Sequence, residues 1–140
     1  MKPGSRVVRG ICIGGIVLLS GCVSAPTDVE QGPLLRTAFS GTPQRIGFFY
    51  EVNPDCTSAG LPTLRIKQQP AHGAVELGNA QDYTSFNPGS QRYDCNKQKS
   101  PGIAVSYTSQ SGYIGPDQVL LEAVYTNGHA KTVSYSISVE

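Results

Sequence analysis

The chain of 140 residues has no tryptophan, one methionine and two histidines, and only 15% of its residues are charged. Each scarcity weighs against a class of function. Without tryptophan there is no indole on which a sugar ring would stack. The two histidines, His72 and His129, have no second histidine or free cysteine nearby in sequence, so the three or four ligands of a zinc site are not in place. The serines lack a G-x-S-x-G elbow, and there is no P-loop or dinucleotide fingerprint. Asp55, Glu76, Asp82, Asp94, Asp117 and Glu122 are scattered, without the paired spacing of a glycosidase or the D-x-D and EF-type loops of a calcium site. No cysteine sits in a C-x-x-C motif. These absences predict a protein that is not an enzyme, takes no cofactor and holds no metal.

What is present begins at the amino terminus. The first ten residues carry Lys2, Arg6 and Arg9 and no acid, and Ile11 to Leu19 is an uncharged apolar run followed by Ser20 and Gly21. A basic region, an apolar region and a small-residue cleavage site predict a secretory signal peptide over residues 1–21. A transmembrane helix needs about 20 apolar residues, and here the run ends in Ser24, Pro26, Thr27 and Asp28. The stretch Leu19-Ser20-Gly21-Cys22 resembles the lipobox of bacterial lipoproteins. That resemblance implies cleavage before Cys22, a diacylglyceryl group on its thiol and acylation of the new amino terminus. One acyl chain binds a membrane only marginally, whereas two or three hold a protein durably. Val23 stands where an inner-membrane retention signal would place Asp. The resemblance therefore implies a lipid anchor in the bacterial outer membrane, with the domain facing the periplasm.

Processing alters the charge and the cysteine count. Loss of Lys2, Arg6 and Arg9 leaves 8 basic against 10 acidic side chains. That balance gives no electrostatic footprint for nucleic acid. Cys12 leaves with the signal and Cys22 goes to lipid, so Cys56 and Cys95 remain as an even pair in an oxidising compartment. They are predicted to form a disulfide. Residues 22–42 mix Pro, Gly, Ser and Thr without a sustained period, and they read as a lipidated flexible tether. Such a stretch spans on the order of 25 Å. The folded domain is expected over residues 43–140.

In that domain the apolar period is two. Ile46, Phe48, Tyr50 and Val52 share one face. Leu64 with Ile66, and Ile103, Val105 and Tyr107, form further alternating sets. Val119, Leu121, Ala123 and Tyr125 form another, and Val133, Tyr135, Ile137 and Val139 the last. Alternation of this kind marks strands with one face on a core and one in water. Asn127-Gly128 between the final two runs predicts a hairpin with a type I′ turn, which needs positive φ at both residues. Gly- and Pro-rich turns divide the remaining runs, and no window shows an amphipathic helix. The expectation is an all-β sandwich of about seven short antiparallel strands with one disulfide.

Two segments are similar to bacterial immunoglobulin-like or cadherin-like repeats. Gln69-Pro70-Ala71-His72-Gly73-Ala74-Val75 is similar to the family's P-x-H-G-x-V pattern. Tyr107, then Gly112-Tyr113-Ile114-Gly115-Pro116-Asp117 and the strand from Gln118 to Tyr125, is similar to its Y-x-P … G-F/Y-x-G-x-D-x-F/V-x-Y pattern. Thr108 replaces the family's Pro, and Pro116 is inserted before Asp117. The resemblance implies a single immunoglobulin-like domain and no particular function, since such sandwiches host many.

His129 is expected to be a solvated hairpin residue and His72 a turn residue. Tyr50, Tyr107, Tyr125 and Tyr135 lie on apolar faces and are expected in the core. Tyr83, Tyr93 and Tyr113 lie in loop-like stretches, and tyrosine is favoured where one end is buried and the other wet. With Asp117, a turn-capping residue, they form the candidate binding surface. The functional expectation is a membrane-anchored, non-enzymatic envelope lipoprotein that presents a β-sandwich to an envelope protein partner or for envelope organisation. Two alternatives stand beside it. Ser111-Gly112-Tyr113 resembles part of the signature of small disulfide-bonded lipoproteins that inhibit lysozyme, which implies a periplasmic inhibitor of a cell-wall hydrolase. A glycan-binding module is the other.

Overall fold

The computed structural model describes residues 32–140. The signal peptide, Cys22 and the first part of the tether, as read from sequence, lie outside the described residues. Eight strands follow one another: β1 (Leu34–Ala38), β2 (Gln44–Val52), β3 (Ser58–Gly60), β4 (Thr63–Gln68), β5 (Gly73–Tyr83), β6 (Lys99–Ser109), β7 (Gly115–Val124) and β8 (Ala130–Val139). A short 3-10 helix, Tyr93–Lys97, lies between β5 and β6. The strands form two four-stranded sheets, ordered β1-β8-β7-β4 and β3-β2-β6-β5. As the period-two pattern predicts, the described chain is all-β.

The core lies between the sheets. Val119, Leu121 and Ala123 of β7 and Val133, Tyr135, Ile137 and Val139 of β8 meet Ile46 and Phe49 of β2 and Val105 and Tyr107 of β6. On β7 and β8 every second residue is buried, which is the pleat reproduced directly from the sequence.

Four particulars depart from the sequence reading. First, β1 lies inside the stretch read as tether. It is a strand of the first sheet, with Ala38 fully buried, so that sheet begins upstream of residue 43. Second, β1 pairs with β8 in parallel, while all other pairs are antiparallel.

Third, the alternation of β2 is broken. The β2–β6 register shifts between Arg45 and Gly47, leaving Ile46 as the extra residue of a β-bulge. A second shift falls at Glu51/Val52 against β3. The buried positions are therefore Ile46, Phe49 and Val52, while Phe48 and Tyr50, expected in the core, face outward. Gly47 makes this possible, because a Cβ there would collide with the Tyr135 hydroxyl.

Fourth, the β7–β8 hairpin is present but its turn is not type I′. Gly128 N–H donates to Tyr125 O at 2.9 Å, and Tyr125 N–H donates to His129 O at 2.8 Å. Only Gly128 has positive φ, at 84°. This is a turn over Tyr125–Gly128 closed by a glycine bulge, the three-residue form of hairpin loop.

Cys56 and Cys95 are bonded, with 5.1 Å between Cα atoms and 39 residues of separation. A loop of that length corresponds to about 4 kcal/mol of stabilisation in the chain-entropy account. The bond ties the β2–β3 turn to the 3-10 helix. Cys56 has φ of 67°, the only described non-glycine residue with positive φ.

Candidate functional site

The candidate surface read from sequence does not come together. Asp117, at the start of β7, is only 4% exposed. Its Oδ1 accepts from Ala71 N at 2.8 Å and Gln118 N at 2.9 Å, and its Oδ2 accepts from His72 N at 3.0 Å and the Tyr107 hydroxyl at 2.9 Å. Burial opposes the charged carboxylate, but hydrogen bonds led by that from Tyr107 outweigh it and hold its pKa below the ordinary value. The reciprocal effect is large on Tyr107, whose phenol is pushed far up, by burial first and by Asp117 second. With its carboxylate taken up inside the protein, Asp117 is a buried structural anchor and not part of a contact surface.

Tyr113 belongs to the same structural unit. Its ring stacks on His72 at 4.1 Å, and its hydroxyl donates to Pro116 O at 2.7 Å. The two motif segments, residues 69–75 and 107–117, thus close on one another through Asp117. A Cβ on Gly73 would strike the Tyr107 ring and Thr108 O, which accounts for glycine there.

Tyr83 and Tyr93 remain exposed, at 54% and 46%. They lie toward the other end of the sandwich. β5 begins just after His72 and ends at Tyr83, a run of roughly 30 Å in extended backbone. Lys99 Nζ sits 5.7 Å from the Tyr83 ring centroid. The four predicted residues therefore form two separate groups.

Between them in importance stands a feature not singled out in the sequence, an open cleft of about 1160 Å³ at the side of the sandwich. One wall is β8 with the start of β1, where Lys131, Val133, Tyr135 and Leu34 reach it. The other is β2 from Gly47 to Val52. The β2 bulges set this wall, since they turn Phe49 and Val52 inward and Phe48 and Tyr50 outward. Tyr50 packs at 5.6 Å from Phe48 and 5.5 Å from Phe86, and its hydroxyl accepts from Ser85 N at 2.7 Å. Phe48, Tyr50, Phe86 and Tyr83 thus give the cleft an aromatic rim.

Two arginines are fixed at the cleft. Arg36 Nε donates to Ile46 O at 2.7 Å, bridging the two sheets, and its guanidinium lies 5.4 Å from the Tyr135 ring centroid. Arg92 Nε donates to Val52 O at 2.7 Å. Lys131 is exposed on β8. None of these three forms an ion pair among the described residues. Glu51 is the acid of the lining, and it accepts from Thr126 N at 2.9 Å. Burial raises the pKa of Tyr125 and, more deeply in the wall, of Tyr135. Both phenols are therefore neutral hydrogen-bonding groups at physiological pH.

Sequence reasoning missed this site for identifiable reasons. Arg36 falls in the stretch read as tether, and Arg92 in a turn-rich segment between strands. Neither has a local pattern that separates it from an ordinary surface arginine. Tyr125 and Tyr135 were expected in the core, and each does contribute a buried or partly buried ring. Among the described residues no three His, Cys, Asp or Glu side chains gather as a metal site. The arrangement offers fixed cations, apolar floor and aromatic rim, which are means of binding.

No family model matches the chain, and no curated protein matches it significantly. A solved structure titled "Solution Structure of Amebosin" aligns over 76% of this chain and 88% of its own, with 13% identity and a TM-score of 0.40. A likeness of that degree carries no argument.

Proposed function

We propose that the protein is a lipid-anchored, non-enzymatic lipoprotein of the bacterial envelope, whose immunoglobulin-like sandwich binds a protein partner through the open side cleft. The cleft, with two arginines anchored on backbone carbonyls and without acidic partners among the described residues, is the observation that carries the binding reading. The anchoring reading rests on the lipobox resemblance of Leu19-Ser20-Gly21-Cys22.

The strand orders support the immunoglobulin-like assignment. In that fold one sheet runs B-E-D and the other C-F-G. Taking β2 and β4–β8 as B to G, the sequences β2-β6-β5 and β4-β7-β8 reproduce both orders. β1 then takes the place of an initial strand paired in parallel with the last.

Two measurements test this function. Cells expressing the full chain are labelled with a fatty-acid analogue, and Cys22→Ala is expected to abolish labelling and release the protein from membranes. Continued labelling of that variant rules out the anchor. A photo-crosslinking residue placed at Lys131 is expected to give a discrete protein adduct in cells, whereas one at the exposed Glu76 of β5, away from the cleft, is not. If the two positions give the same adducts, the cleft is not the binding site.

A further inference from the structure

Both walls of the cleft are strand edges that lack a partner strand among the described residues. β2 pairs with β6 along Gln44–Tyr50, and its other side meets β3 only from Glu51 onward. β8 pairs with β7 from Ala130, but β1 joins its other side only at Tyr135. Gly47–Tyr50 and 131–133 therefore face the opening without a neighbouring strand among the described residues. Free edges of this kind pair with an added extended segment, which takes up the unused N–H and C=O groups.

Charge selects the segment. The two guanidiniums are seated on the carbonyls of Ile46 and Val52, at either end of the free stretch of β2. Those carbonyls are roughly 20 Å apart in extended backbone. Each Nε is committed, and Arg36 Nη1 also donates to Leu35 O at 2.8 Å, so each guanidinium is held in place while its other N–H groups remain for a carboxylate. Lys131 adds a third cation on the facing wall, and Glu51 is tied to Thr126 N.

We propose that the cleft takes an extended acidic peptide segment of the partner protein, which adds as a strand along the free edge of β2 and sets two carboxylates, about six residues apart, on Arg36 and Arg92. This deepens the binding reading above and rests on it. The apolar floor of Phe49 and Val133 receives the side chains that point inward from such a strand, and the aromatic rim covers its outer face.

The test uses the full chain in detergent and a fluorescent peptide, Glu-Thr-Val-Thr-Val-Thr-Glu with both ends blocked, beside its Gln-for-Glu counterpart. The acidic peptide is expected to bind at least ten-fold more tightly. That advantage should collapse in Arg36→Gln and also in Lys131→Glu, an exposed change whose unfolding midpoint is expected to stay at the wild-type value. Hydrogen exchange should slow within Gly47–Tyr50 only in the acidic complex. Equal binding of the two peptides, no binding up to millimolar concentration, or protection elsewhere overturns the proposal. So does tighter, arginine-independent binding of a neutral N-acetylated oligosaccharide, which would assign the cleft to glycan. Dimerisation of the full chain that is lost in Lys131→Glu would assign it to a second copy. Peptide binding that emerges only on deletion of residues 23–31, which carry Asp28 and Glu30, would assign it to the chain's own segment. If the Lys131 crosslink forms while the peptides fail, the acidic ligand is wrong and the binding site stands.

Discussion

The hydroxyl of Tyr107, buried on β6, donates to Oδ2 of Asp117 on β7 at 2.9 Å, joining the two sheets at one end of the sandwich. The same carboxylate holds the main chain at Ala71 and His72, just before β5. One side chain thus ties together three segments that are distant in sequence.

Asp117→Ala should accordingly cost about 2–4 kcal/mol, because it leaves backbone donors without their acceptor. Tyr107→Phe should cost about 1.5–3 kcal/mol, the range for a hydrogen bond to a charged group. Denaturant unfolding of the two variants and the double mutant measures their coupling. Strict additivity would mean that the pair does not act as a unit.

The pH dependence follows in sign from the same pair. Asp117 has a folded pKa below its unfolded one, so its contribution is complete above the ordinary Asp value near 4 and is lost as pH falls through the folded value. Tyr107 is shifted up, so its contribution holds below about pH 10 and is lost as pH rises through its folded value. Unfolding midpoints measured from pH 2 to 7 should therefore fall more steeply for the wild type than for Asp117→Asn. Parallel curves would remove Asp117 as a source of the acid sensitivity.

Gly47→Ala should destabilise by about 1–3 kcal/mol, as overpacking does, since the added methyl meets the Tyr135 hydroxyl. In a Tyr135→Phe background the cost should shrink without vanishing, because the ring carbon stays close. An unchanged cost in that background would locate the strain elsewhere.

Reduction of the Cys56–Cys95 bond, or Cys95→Ser, should lower stability by about 2–5 kcal/mol. The loss is expected to be accompanied by faster exchange in the 3-10 helix Tyr93–Lys97, which the bond pins to the β2–β3 turn. Equal unfolding midpoints with and without reductant would contradict this.

Strand identity was legible where sequence period and pleat coincide. Val133, Tyr135, Ile137 and Val139 alternate in the chain and are buried in the structure. Phe48 and Tyr50 could not be placed in the same way, because one extra residue at Ile46 exchanges the two faces, and a bulge leaves no signal in hydrophobicity alone. The sequence motifs hold His72, Gly73, Tyr107, Tyr113 and Asp117, but the meeting of His72 N–H and the Tyr107 hydroxyl at the Asp117 carboxylate is a contact across two sheets. The candidate surface divided because Tyr83 and Tyr113 lie at opposite ends of long strands, a separation that exposure guesses do not contain.

By itself the amino-acid sequence determined that the described chain belongs to the all-β class and that Cys56 and Cys95 pair, since pleat alternation, turn residues and cysteine count are local or compositional properties. The tertiary structure alone decided that Asp117 is an internal anchor, that β1 joins the first sheet in parallel, and that Arg36 and Arg92 stand over an open cleft. Each of these depends on which strand edges are left unpaired and which residues are brought together across the sheets, and those relationships exist only once the chain has closed.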